Sequence, residues 1–226
     1  SGALLSAAAA SGLFSASDIG AIAAGTPGLA SGASVEGSDY AWGWNLGALA
    51  ATANKCLHGA PGLSFVLARN ALWAGPAQQA GSVYLDLRAY HAAQHRDGYS
   101  PFTLPVQLAF ALHEALLEHV EQGGAEARRQ LYQTRARRIH ATLSRSGVST
   151  LLHPDEYSSV LWSYELPANR SYAELHDALK AEGFIIYAGQ GELGRQIFRI
   201  AHMGDIQEAD LQRLCTVLTA TLGVQP

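Results

Sequence analysis

The chain has 226 residues, 48% of them hydrophobic and 15% charged, with a formal net charge of -4, a pI near 6.1 and a mean hydropathy of +0.03. Such a chain buries a sizeable core in one large domain or one and a half ordinary ones. Its mild acidity and the lack of any run of like charges argue against nucleic acid or a membrane surface as a partner.

The start, "SGALLSAAAASGLF", is short, carries no lysine or arginine and is interrupted by serine and glycine. It suits neither a membrane span nor a secretory signal, and residues 1–40 read as irregular. Residues Gly25 to Gly37, "GTPGLASGASVEG", follow neither the helical nor the strand period and read as loop. "WNLGALAATANK" then predicts a buried strand and "GLSFVLARNALW" a second, with a glycine-rich turn between them.

"TLPVQLAFALHEALLEHVEQGG" predicts an amphipathic helix stopped at Gly123-Gly124. "AEARRQLYQTRARRIHATLSRSG" predicts a charged helix ending at Gly147, with Leu131, Ile139 and Leu143 on its buried side. Its arginines, Arg128, Arg129, Arg135, Arg137 and Arg138, alternate with Gln130, Leu131, Tyr132 and Ile139 and read as a solvated face. A strand "SSVLWSYEL", a helix "SYAELHDALKAEG" capped by Ser171 with Glu174, strands at "FIIYAG" and "QIFRIAH", and a last helix "QEADLQRLCTVLTATLG" complete a small α/β lobe.

Cys56 and Cys215 stand far apart without metal-ligand spacing, which predicts reduced thiols, a cytoplasmic chain and no metal. His113 and His119 are six apart and so not on one helix face. His58, Trp42 and Trp44 receive no role.

Lysine is scarce, with Lys55 and Lys180 the two examples, and Lys55 sits between an apolar run and a glycine-proline turn. A lysine at the end of a buried strand would be poorly solvated, and a neutral amine attacks carbonyls. Thr52 and Asn54, two apart, face one side of an extended chain, where a hydroxyl and an amide could hold a phosphate.

"ATANKCLHGAPGLSFVLAR" resembles the cofactor-lysine segment of the class V pyridoxal-phosphate aminotransferases, and within them the 2-aminoethylphosphonate–pyruvate transaminases. That group carries an "S-A-N-K-C" block followed by a glycine and a "V-P-G" turn. "SPFTLPVQLAFALHEAL" is similar to the family's "F-T-P-P" loop and helix, "GFIIYAGQ" to its "G-F-x-I-Y-P-G" strand, and "IFRIAHMGDI" to its "F-R-I-G-N-I-G-D-I" segment. These blocks occur in family order over roughly Trp44 to Ile206.

The resemblance implies an α/β fold, the C-terminal part of a fold-type I transferase shortened at its N-terminal side. Residues 1–100 would belong to the large cofactor domain, and 101–226 would form a linking helix and a small α/β domain. It implies that Lys55 binds pyridoxal 5'-phosphate covalently and moves the proton in transamination. Thr52, Asn54 and Thr103 would hold the cofactor phosphate, Thr103 across a homodimer, and Arg199 the substrate's anionic group. The implied reaction moves the amino group of 2-aminoethylphosphonate to pyruvate, giving phosphonoacetaldehyde and L-alanine.

Two other readings are an alanine–glyoxylate type transaminase and a catalytically impaired unit for folding or dimerisation. The family's buried aspartate, which keeps the pyridine nitrogen protonated, falls within Gly25 to Gly37, where there is no aspartate. Asp39 is the nearest acid.

Overall fold

The computed structural model describes residues 48–68, 70–74 and 80–223. The expectations for Gly25 to Gly37, Asp39, Trp42 and Trp44 lie outside the described residues. The chain divides into two compact units, the first ending at Arg128 and the second beginning at Arg129.

In the first unit β1 (Ala48–Thr52) pairs antiparallel with β2 (Ser64–Ala68), Ala48 facing Ala68 and Thr52 facing Ser64. Strand β2 buries Phe65 and Leu67, two apart on one face. The expected burial of β1 is not found on the face that carries Ala48, Ala50 and Thr52, which are exposed, while Ala51 on the other face is half-buried. Alanine side chains bring little apolar area, and among the described residues β1 has β2 as its one strand neighbour.

Two helices follow that the sequence reading did not identify, α1 (Ala71–Ala74) and α2 (Leu87–Asp97). Asp86 caps α2 by accepting from the amides of Arg88 and Ala89, and Gly98 closes it in the left-handed region. Helix α3 (Val106–Glu121) buries Leu112, Ala115, Leu116 and His119, the i, i+3, i+4, i+7 stripe that its periodicity predicts. A second apolar stripe on the same helix, Val106, Phe110, Leu117 and Val120, is exposed.

Helix α4 (Gly124–Arg145) ends as its sequence predicts. The amides of Gly147 and Val148 donate to the carbonyls of Ser144 and Leu143, and the buried Val148 side chain closes the Schellman motif.

The second unit holds an antiparallel sheet in the order β3-β5-β4, made of β3 (Leu161–Glu165), β4 (Tyr187–Ala188) and β5 (Ile197–Ala201). Helices α5 (Tyr172–Ala181) and α6 (Glu208–Leu222) complete it. Trp162 and Tyr164 of β3 face Ile200 and Phe198 of β5. These four side chains share one core with Ile139 and Leu143 of α4, Leu175 and Leu179 of α5, and Leu211 and Leu218 of α6. Ser171 and Glu174 form the expected capping box on α5.

Strand β4 is shorter than "FIIYAG" predicts, with Tyr187 and Ala188 alone in register with Arg199 and Phe198. The chain turns away at once, because Gly191–Arg195 forms a 3-10 helix beside it. Gly189 permits that turn, since a Cβ there would stand 2.4 Å from the Leu193 carbonyl oxygen and 2.7 Å from Cγ1 of Ile197.

Neither neighbour is free to withdraw, one being backbone and the other core. Gly189→Ala should therefore destabilise the second unit by about 1–3 kcal/mol, read as a lower urea midpoint with unchanged slope.

Candidate active site

The Lys55 turn is held almost wholly by backbone. The Ala53 amide donates to the Leu63 carbonyl at 3.0 Å, carrying the β1–β2 ladder one step further, and the Gly59 amide returns to the Ala53 carbonyl at 2.8 Å. The His58 amide donates to the Lys55 carbonyl at 3.0 Å. Gly59 is required by close approach, because a Cβ there would meet the Ala53 oxygen at 2.9 Å. Gly62 takes φ 114°, and a Cβ there would meet Leu108 of α3 at 2.7 Å.

Ala53, Cys56 and Leu57 are buried inside the turn, while the Lys55 side chain is exposed. The buried lysine expected from the sequence is thus corrected. The turn's apolar residues point inward and the lysine points outward from a strand that is itself open. Lys55 Nζ makes no hydrogen bond or ion pair among the described residues.

Thr52 and Asn54 do stand together, as the two-residue spacing predicts. The Thr52 hydroxyl donates to Asn54 Oδ1 at 2.6 Å. This uses the one hydroxyl proton, so the Asn54 NH2 group is the donor of this pair left for an anion. Thr103 is exposed and is not the cap of α3, a position held by Pro105. Arg199 lies in the second unit, half-buried on the central strand β5, where its Nε donates to the Ala188 carbonyl at 2.8 Å. Its terminal nitrogens make no hydrogen bond among the described residues, which leaves that edge of the fork for a carboxylate or phosphonate.

Two of the five arginines depart from the solvated face that the sequence predicts. Arg128 and Arg135 are 2% and 6% exposed, on the same helical stripe as buried Tyr132 and Ile139, and that shared stripe was the signal in the sequence. Arg128 donates to the Cys56 carbonyl at 2.8 Å and to Oε1 of Gln122 at 2.7 Å. Arg135 donates to the carbonyls of His202, Gly204 and Ile206 at 3.1, 2.9 and 2.8 Å, clamping the loop that leaves β5. Arg138 pairs with Glu208 and Gln212 of α6, and Arg137 is exposed.

Burial raises the pKa of the Cys56 thiol, with the charge of Arg128 acting in the opposite sense. Among the described residues no group of three potential metal ligands occurs, and no helix is long and apolar enough to cross a membrane.

Two buried histidines were also missed. His202 points Nδ1 at the Ser159 carbonyl, 3.2 Å away, and its buried Nε2 has no hydrogen-bond partner among the described residues. Burial draws its pKa from 6.5 to about 4; the Ser159 carbonyl opposes that and Arg135 adds to it. Burial, then the charges of Arg128 and His58, lower His119 to about 4 as well.

With folded pKa values below the unfolded one, the unfolded chain binds more protons between about pH 4 and 6.5, so stability falls as pH drops through that window. Each histidine should cost up to roughly 1.4 kcal/mol per pH unit there. Urea titrations between about pH 7 and pH 4.5 should show this loss, reduced in His202→Leu.

The chain is 33% identical over 177 residues to the 2-aminoethylphosphonate–pyruvate transaminase of Salmonella schwarzengrund, covering 77% of this chain and 48% of the relative. It is 35% identical over 166 residues to that of Vibrio parahaemolyticus, covering 72% and 45%. The chain therefore spans about half the length of the curated relatives it matches. No family model matches it. By structure it is similar to the pyridoxamine–pyruvate aminotransferase of Mesorhizobium loti, with a TM-score of 0.71 and 24% identity over 80% of this chain and 48% of that one. By sequence the chain is similar to these transaminases over about half of their length, and by fold it carries the C-terminal part of an aminotransferase.

Proposed function

We propose that the chain belongs to a transaminase that binds pyridoxal 5'-phosphate covalently at Lys55 and moves the amino group of 2-aminoethylphosphonate to pyruvate. The observation that supports this most is the place of Lys55 on a turn fixed by backbone bonds, inside the block that resembles the family's cofactor lysine. The residues present fit that end of the cofactor. The amine is accessible, Asn54 offers an NH2 donor beside it, and Gly59 keeps the turn tight.

When bound, the cofactor supplies a carbonyl that condenses with amines and a ring that withdraws electrons from the carbon bearing the amino group. In this reading Lys55 holds the ring and then, as a free amine, carries a proton at Nζ. Asn54 and Thr103 hold the phosphate, joined by Thr52 once its hydroxyl turns from Asn54 Oδ1 to the anion. Arg199 receives the anionic group, for which its unbonded terminal nitrogens are suited by geometry. The chain is further read as one protomer of a cytoplasmic homodimer, and the exposed stripe of Val106, Phe110, Leu117 and Val120 on α3 supports self-association.

The test is to mix the purified chain with pyridoxal phosphate, reduce with borohydride and map the modified peptide. Label should fall on Lys55 rather than Lys180 and vanish in Lys55→Ala. Equal labelling of both lysines would favour the reading as a non-catalytic folding or dimerisation unit. Light scattering should give about twice 23.9 kDa, and Phe110→Asp should lower that mass towards the protomer value.

A further inference from the structure

We propose that Arg128 is the positioning residue of Lys55, fixing the direction of the lysine through the carbonyl of Cys56. This rests on the reading of Lys55 as the cofactor lysine. An exposed side chain has little packing of its own to hold it, so its direction is inherited from the backbone beneath. Around Lys55 that backbone is closed at its ends by the bonds of Ala53, His58 and Gly59. Between those ends the Cys56 carbonyl turns inward, flanked by the buried side chains of Cys56 and Leu57. A buried carbonyl needs a donor, and Arg128 reaches it from α4, 72 residues away in sequence.

The guanidinium is itself fixed. It is 2% exposed, and its second arm is held by Oε1 of Gln122 at 2.7 Å, so the planar fork presents Nη1 to Cys56 in one orientation. A lysine at 128 would bring the charge without the fork and could not make both bonds in this geometry.

The turn is also conformationally tense. His58 has φ 65°, the one non-glycine residue in the left-handed region among those described. Such a backbone persists where its surroundings over-determine it. His119, buried on α3, lies close enough to the half-buried His58 and to Arg128 for both charges to act on it. Arg128 supplies the tie from outside the turn, and its loss leaves the turn free to relax and Lys55 free to swing.

The two lysines make this measurable, because Lys180, exposed in the last turn of α5, is an internal reference in the other unit. Wild type, Arg128→Lys and Gln122→Ala, each checked for folding by circular dichroism, are treated with limiting pyridoxal phosphate and borohydride. A small acylating reagent is used in parallel. In Arg128→Lys the Lys55:Lys180 ratio with pyridoxal phosphate should fall about tenfold, while the ratio with the acylating reagent, which reads exposure and basicity but not direction, stays unchanged. Gln122→Ala should show a smaller fall in the same direction.

A merely structural role would lower stability and leave both ratios as in wild type, and that result overturns the proposal. If Arg128→Lys does not fold, Gln122→Ala decides by the same criterion.

Should the wild-type chain itself show no preference for Lys55, the cofactor reading fails. The role of Arg128 is then read by amide exchange. The amides of His58 and Gly59 should exchange about tenfold faster in the variant, and that of Val148 should not. Equal protection of His58 and Gly59 in both proteins would refute the positioning role without reference to any cofactor.

Discussion

A buried guanidinium bound to backbone carbonyls is the interaction on which the Lys55 turn and the loop after β5 depend. Turns and loops leave carbonyls that no ladder or helix satisfies, and burying one without a donor is costly. Arg128 meets this need at Cys56 and Arg135 at His202, Gly204 and Ile206. The guanidinium suits the task because it presents several donors in one rigid plane and stays charged at any ordinary pH. Both residues come from α4, and each serves a block that resembles part of the aminotransferase site.

Anchoring and chemistry are separated at the Lys55 turn. Ala53, Cys56 and Leu57 are buried and tie the turn to the body of the first unit, and the Lys55 amine is left outside. The same division appears at β5, where Phe198 and Ile200 enter the core and Arg199, between them in sequence, faces the other side of the sheet. One residue in each pair of neighbours stabilises the fold and the other remains available to a ligand. This is why local alternation in these short segments carries functional as well as structural information.

Much of this was legible in the sequence where the signal is local. The helical period of α3, the Schellman stop at Gly147 and the Ser171–Glu174 capping box are short-range features, and each appears where the sequence places it. Helix α2 escaped because its inward face is Tyr90, Ala93 and Gln94, a stripe with little apolar contrast, although Asp86 and Gly98 mark its ends. The exposure of Lys55 was not legible, since whether a strand is covered depends on distant chain. The buried arginines were misjudged for a related reason. Composition assigns arginine to the surface, whereas Arg128 and Arg135 follow the period of Tyr132 and Ile139 and find their acceptors about 70 residues away.

The left-handed backbone at His58 also limits what a mutagenesis library, or evolutionary drift, can place there. Valine, isoleucine and threonine crowd the following carbonyl through their branched Cβ, whereas glycine or asparagine enters at little steric cost. Position 58 is therefore filtered first by shape and only then by chemistry. An imidazole so placed is a choice from a narrow set, next door to the lysine and within electrostatic reach of His119.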